Sequence, residues 1–584
     1  MKRLLLVGAL LLAVTASSRS MAADAWGAWT NGLPTAWVEG PACDPYVDYN
    51  CTPSKAATAM ALKAARGGPC DPYVNYNCLD AYLGDDVATR FFRYYQLEWG
   101  KGVAPSDPKA PPTSRSEAAW PPTPESSPPA PFGEWPYGGT ENIAKTAPNM
   151  VDSPLMVALG NTSLGHAMSD AHIQVYGWIN GGGNISTNTV RPGGNAPAAY
   201  DYTPNSFQFD QGVVYIERLP DEVQNDHFDW GFRISNLYGE NYRYTIAYGL
   251  FSNQLLNKNQ VYGFDMPMVY TDLYFPVMQG FNLRIGRFIS VPDIEAQLAP
   301  NNYTYVHSLT YSWDNYTNSG IQGTLAVTKN WIVQAGVTVG SDTMPWNAGV
   351  HVPNNWVLAG NADPLYPGTS MLKDPGAVPS VTLGVRWTSD DGRDDLNVVA
   401  DAINGGQWGY NNLQWYGFTY YHKLSDYWHI AVEVYNLHEN NVPNNTNPAV
   451  AAIVAGGGTP FSPNIMPFNA PGTAVCSNTT VLTCTADTQT FLTYINYSPN
   501  KLNNFSLRAE WYDDRQGQRT GVATRYIDVA ASWQHWLSPQ VEMRPEIAYY
   551  RSLDAAAFNG DSNAGIAPTR SYSVIGAADL IVHF

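Results

Sequence analysis

Charge is scarce in this chain. Asp, Glu, Lys and Arg together make up 14% of 584 residues, where a soluble protein usually carries about a quarter. Long apolar runs are missing too. Beyond the N-terminus no stretch approaches the ~18 apolar residues that a membrane-spanning helix needs. There is no concentrated basic patch, and the net charge is −18, so nucleic acid is not an expected partner. The ten histidines are scattered. No Gly-x-Ser-x-Gly, His-Glu-x-x-His or P-loop pattern sits in a credible context, so no enzyme activity, metal or cofactor is expected. What is abundant is aromatic: 37 Tyr and 19 Trp, with a slightly negative mean hydropathy. Few charges, many aromatics and no spanning helix together suit a membrane barrel, whose strands alternate apolar-out with polar-in.

The N-terminus carries Lys2 and Arg3, an apolar run over 4–14 and then Ser20-Met21-Ala22. The run is too short to span as a helix, and the pattern is that of a secretory signal peptide over 1–22, cleaved after Ala22 or Ala23. Cleavage removes Lys2, Arg3 and Arg19 and takes the charge from −18 to −21. That acidity weakly favours cations as permeants.

An extension follows over 23–102. It holds a repeat, Cys43-Asp-Pro-Tyr-Val-Asp-Tyr-Asn-Cys51 and Cys70-Asp-Pro-Tyr-Val-Asn-Tyr-Asn-Cys78, and a third pair, Cys476 and Cys484, has the same spacing far downstream. An even cysteine count after an export signal points to disulfides, and three equal spacings make three local loops the simplest pairing. The extension is either a module contacting the cell wall or a partner, or a spacer stapled because it is too small to hold a core. The spacer is the plainer account. Short helices are expected over 54–66, started by Ser54 and stopped by Gly67-Gly68-Pro69, and over 85–99. A proline-rich linker occupies 103–166, with 11 prolines between Pro105 and Pro136.

From 167 to 584 the chain is a series of strand-length segments at period two. Phe228, Trp230, Phe232 and Ile234 share one face against Asp229, Gly231 and Arg233. Val381, Leu383, Val385 and Trp387 oppose Thr382, Gly384 and Arg386, and the same holds near 428–434, 505–511 and 541–549. The last segment, 572–584, alternates to the end and stops on an aromatic residue. Such an ending is typical of the closing strand of an outer-membrane barrel, where Leu580, Val582 and Phe584 would be read by the barrel assembly machinery. Eighteen candidate strands begin near 172, 206, 227, 241, 267, 281, 303, 319, 331, 380, 394, 412, 427, 490, 504, 523, 540 and 572. The long connections 183–205, 342–378, 439–488 and 552–569 are all odd-numbered, and most even ones are tight. Short turns on one side with long loops on the other is the outer-membrane pattern. Two even connections, 254–266 and 290–302, are too long for it. Either strands are miscounted there, giving sixteen, or those segments fold inward.

The expected fold is therefore all-β: a transmembrane antiparallel barrel of about 16–18 strands in outer-membrane lipid, with a periplasmic N-terminal extension. By strand phase Arg233, Arg284, Arg386, Glu433, Arg508, Glu510, Arg544 and Glu546 point inward and are candidate pore-lining residues; they either set a transverse field at a constriction or pair across neighbouring strands. Loop 439–488 contains Ala449-Val-Ala-Ala-Ile-Val454, too apolar to stand in water. It is expected to fold into the barrel mouth as a constriction or to bury against another subunit of a homo-oligomer.

The chain resembles the beta-barrel porin-2 (OmpL-like) family of bacterial outer-membrane proteins. The resemblance rests on Val175-Tyr-Gly-Trp-Ile179, Asp226-His-Phe-Asp-Trp-Gly-Phe-Arg233, Leu283-Arg-Ile-Gly-Arg287 and Pro292-Asp-Ile-Glu-Ala-Gln-Leu-Ala-Pro-Asn-Asn-Tyr303. It is densest from 172 to about 346 and extends over 85–584. It implies a porin, through which small hydrophilic solutes diffuse passively. The competing expectation is an adhesin or structural anchor with a plugged barrel, and an outer-membrane lipid hydrolase is a more distant one.

Overall fold

The computed structural model describes residues 82–97, 99 and 153–584, apart from 354–368, 456–472 and several breaks of one to three residues. The signal peptide, the expected helix over 54–66 and the pairs Cys43/Cys51 and Cys70/Cys78 lie outside the described residues.

The strands run in chain order as β1 (Gln174–Ser186), β2 (Phe207–Arg218), β3 (Asp229–Gly239), β4 (Gly263–Asp265), β5 (Val269–Phe275), β6 (Phe281–Ile289), β7 (Thr317–Ala326), β8 (Trp331–Ser341), β9 (Val350–Pro353) and β10 (Thr369–Asp374). They continue as β11 (Ser380–Thr388), β12 (Asp394–Ile403), β13 (Gln414–Lys423), β14 (Trp428–Pro443), β15 (Thr483–Asn500), β16 (Asn503–Asp514), β17 (Thr524–Ser538), β18 (Val541–Ser552) and β19 (Tyr572–His583). β9 and β10 form a separate hairpin. All the others belong to one sheet, in which neighbours are antiparallel and β19 returns to β1, with Leu580 opposite Gly181. β4 and β5 both pair with β3 and together make one interrupted stave. The result is a closed barrel of sixteen staves. Closure leaves no unpaired edge, which is what a sheet in lipid requires.

Two of the eighteen expected strands are not staves. The segment near 241 is a 3-10 turn, Glu240–Tyr244, and the one near 303 lies in the connection between β6 and β7. A spanning stave must show alternate residues to lipid, yet residues 241–246 and 302–308 are buried at every position. Their alternating tyrosines are met by packing inside the barrel. With these two removed the connections sort fully. One end carries 219–228, 276–280, 327–330, 389–393, 424–427, 501–502 and 539–540. The other carries 187–206, 240–262, 290–316, 342–379, 404–413, 444–482, 515–523 and 553–571.

The wall alternates as the phase expects. Outward-facing Phe228, Trp230, Leu383, Val385, Leu507, Ile547 and Leu580 are exposed, while inward-facing Tyr526, Asp528, Ala530 and Gln534 on β17 are buried. Barrel closure brings the last residue back to the first strand. The Gly177 N–H donates to the Phe584 carbonyl at 3.1 Å, and the Phe584 N–H donates to the Gly177 carbonyl at 2.9 Å. Gly177 is required there: a Cβ would lie 1.9 Å from the Val213 carbonyl oxygen and 2.8 Å from the Phe584 ring.

Before the barrel come α1 (Val87–Leu97), α2 (Pro154–Leu159) and α3 (Ser163–Asp170), the last two within or just beyond the stretch expected as linker. Ser153 caps α2 by accepting from the Met156 N–H at 3.2 Å, with Pro154 at the first helical position. Arg90 of α1 donates to the Val157 carbonyl through Nε and Nη2, at 3.1 and 2.9 Å. This small unit meets the barrel at the short-turn end, where the Val175 N–H points at Met156 Sδ.

Candidate pore constriction

The connection between β6 and β7 enters the barrel. Its described residues, 293–316, run from the β6–β7 side to the wall formed by β13–β18, roughly opposite in the stave order. A loop buried this way must find partners for its peptide groups, and the wall supplies them. Carboxylates accept its N–H groups. Glu433 takes Ile294 N–H at 2.9 Å; Glu546 takes Tyr305 and Val306 N–H at 2.9 and 3.0 Å; Glu510 takes Leu309 N–H at 2.9 Å and also that of Thr310. Cationic and amide groups cover its carbonyls. Arg544 donates to Ala299 and Asn302 at 2.6 and 3.1 Å, Gln534 to Asn302 at 2.7 Å, and Arg508 to Val306. Arg519 donates to Trp313 and Asp314 at 2.6 and 3.0 Å.

The arginines are balanced by further acids. Arg508 Nε meets Asp528 at 2.6 Å, and its Nη1 and Nη2 lie 3.6 and 3.7 Å from Glu295 and Glu546 respectively. Arg544 pairs with Asp579, which also accepts from Asn180 Nδ2 at 2.8 Å. Charge-assisted bonds of this kind contribute about 1.5–3 kcal/mol each when both partners are in place.

The other flank of the loop meets β1 and β2. Tyr305 OH donates to Asp210 at 3.0 Å, and its ring lies so close to Gly182 that a Cβ there would come within 2.5 Å of it. The Ala299 N–H donates to Gln211 Oε1 at 3.1 Å. Above these, Tyr200 stacks between Tyr244 and His307, at 4.1 and 3.7 Å between ring centroids. Burial holds the His307 imidazole down to about 3, so the ring is neutral and its Nε2–H donates to the Ala296 carbonyl at 2.8 Å. The segment is thus tied to both sides of the barrel and divides its interior. Inward-facing Arg284, Gln334 and Lys423, at the short-turn end, keep partial solvent contact.

The eight inward-phase residues separate into two groups. Glu433, Arg508, Glu510, Arg544 and Glu546 converge on the inserted loop. Arg233, Arg284 and Arg386 instead pair across neighbouring strands: Arg233 with Glu217, Arg284 with Asp272 through two 2.8 Å bonds, and Arg386 with Asp395 through Nε and Nη2 at 2.8 and 2.6 Å. Glu295, Asp314, Arg519, Asp528 and Asp579 complete the site and were not singled out by phase. Their one sequence signal is position, since Glu295 lies inside the distinctive 292–303 stretch.

The described parts of the long apolar loop, 444–455 and 473–482, are held by other contacts. β14 and β15 extend further than the sequence suggests, leaving 444–482 as the connection. Asn444 Nδ2 donates to the Asn478 and Val481 carbonyls at 3.0 and 2.8 Å, and Cys476 and Cys484 are disulfide-bonded. The Val475 N–H donates to the Gln516 carbonyl of the neighbouring outer loop at 2.7 Å. Among the described residues, the segment that crosses the barrel is 293–316.

A closed, wholly antiparallel sixteen-stave sheet with an apolar outer wall, short turns at one end and a loop folded into its interior defines the class: an outer-membrane β-barrel of the porin type. More particularly, residues 172–584 match the family described as Putative beta-barrel porin-2, OmpL-like, and the chain belongs to that family. No curated protein matches the chain. Among solved structures it is similar to an anion-selective porin from Comamonas acidovorans (8% identity, 70% of this chain and 99% of that one, TM-score 0.37). It is also similar to the outer-membrane channel DcaP of Acinetobacter baumannii (7%, 70% and 97%, 0.40). A third is OmpT of Vibrio cholerae in its trimer form (11%, 70% and 99%, 0.39).

Proposed function

We propose that the chain is an outer-membrane porin through which small hydrophilic solutes diffuse passively, along a path narrowed by residues 293–316. The observation that carries this is the closed barrel crossed, among the described residues, by a loop that is hydrogen-bonded to opposite walls. Solutes would be sorted by size at the loop and by the charges that face the remaining passage. Arg284, partly exposed beside Asp272, is the most accessible of the inward arginines, whereas Arg508, Glu510, Arg544 and Glu546 act chiefly by holding the loop. The short-turn end is read as periplasmic, which puts α1–α3 and the cysteine-rich extension in the periplasm. Leu580, Val582 and Phe584 serve as the signal for barrel assembly.

Planar-bilayer recording of the refolded mature protein tests the proposal. Steady unitary steps, small for a sixteen-stave barrel, are expected. A correctly folded, heat-modifiable barrel with no steps under any salt gradient would refute it.

A further inference from the structure

Asp293 and Asp314 stand near the two ends of the inserted loop, and Glu433 faces them from β14. One carboxylate oxygen from each lies within 4.8 Å of the other two, and all three residues are buried. Acidic residues gather in many proteins without a ligand, but here Asp293 lies within hydrogen-bond reach of both Glu433 and Asp314, so without a cation the three must share protons. Two of their oxygens have no N–H donor: Asp293 Oδ1 and Glu433 Oε1 are buried, in residues 5% and 0% exposed. The other Glu433 oxygen accepts from Ile294 N–H, and the two Asp314 oxygens accept from Trp415 Nε1–H at 3.1 Å and from Asn315 N–H. Arg519 is the guanidinium beside the group, and its Nε and Nη2 bond the Trp313 and Asp314 carbonyls. Three buried carboxylates with unfilled acceptor sites and no cation bonded to them are costly unless something positive joins them. Burial and the neighbouring acids push the Asp293 and Asp314 carboxyls well above the usual carboxylate range.

We infer that Asp293, Asp314 and Glu433 form a site for a hard divalent cation, calcium by its chemistry, that fastens both ends of the inserted loop to β14. Calcium binds oxygens at ~2.3–2.6 Å, so two ligands on opposite sides of one ion stand up to about 5 Å apart. The spacing here falls within that span. A doubly charged ion would nearly neutralise the three carboxylates and engage the two unfilled oxygens. Sequence spacing gives no sign of the site, because its three members come from separate stretches that only the folded loop unites.

Trp415, bonded to Asp314, makes terbium a direct probe. Tryptophan excitation of the full mature protein, refolded in detergent free of lipopolysaccharide, should sensitise terbium luminescence that saturates at one ion per barrel and is displaced by calcium. Asp293→Asn should weaken binding by about tenfold or more, as loss of even an outer-shell partner does at many metal sites. Calcium should also raise the temperature at which the wild-type barrel loses its heat-modifiable form, and this readout stands if the variant does not fold. A folded wild type with neither response, as three carboxylates sharing protons would give, overturns the inference. Equal terbium binding in wild type and a folded Asp293→Asn barrel overturns it as well. Bilayer silence with terbium bound would count against the porin reading alone.

Discussion

The connections 290–316 and 444–482 leave the same end of the barrel, and the one whose described residues cross the interior is the more polar of the two. The second is longer, carries an apolar helix, α4 (Pro448–Ala455), and looks like the segment that needs burying. Its described residues instead satisfy themselves locally. Asn444 and Asn447 act as caps, the Cys476–Cys484 disulfide closes the far part, and Val442, Ala474 and Cys476 pack with Trp408. The first is polar, yet it crosses the barrel, because the wall offers carboxylates for its N–H groups and guanidinium groups for its carbonyls. What lets a loop enter a barrel is a partner for each peptide group. Apolarity alone does not take it there.

The difference can be broken at several points. Arg508→Ala should cost most, since it strands Asp528, Glu295 and Glu546 in a buried setting. Removing one partner of such a pair costs roughly 3–5 kcal/mol, and urea unfolding of the refolded barrel would register it, with noisier conductance from a loosened loop. Glu546→Ala leaves the Tyr305 and Val306 N–H groups without their acceptor, at up to about 1–3 kcal/mol for each that stays buried; a comparable drop in stability with a higher mean conductance is expected. Gly182→Val should drive the Tyr305 ring off β1. Its expected signature is an altered conductance with little change in unfolding, because the stave itself tolerates valine. Arg386→Ala, away from the loop, should leave conductance within experimental scatter, although it strands the buried Asp395 carboxylate and lowers stability. Cys476→Ser with Cys484→Ser should do least to the pore, and its effect should be confined to faster proteolysis within 444–482.

Much of the wall was legible beforehand. The alternation at 228–234 and 381–387 put Trp230 and Leu383 on the face opposite the inward Arg233 and Arg386, because a period of two leaves a strand no other choice. The closing strand was legible for the same reason. The segments around Tyr242 and Tyr303 misled because tyrosines at alternating positions satisfy either lipid-facing geometry or an aromatic interior. Only the connection parity hinted at the difference, through the two even connections that were too long. The site was half legible. Phase gave Arg508, Glu510, Arg544 and Glu546 their inward direction, but which inward charges hold a loop and which pair with a neighbour depends on the path of 293–316, and no local pattern encodes that path.

The most direct measurement compares two deletions in the same bilayer assay: residues 297–310 replaced by a short glycine-serine turn, and residues 457–471 removed. Unitary conductance should rise several-fold in the first and stay at the wild-type value in the second. A rise confined to the second, or no change in the first with the barrel still folded, would contradict the assignment of 293–316 as the constriction.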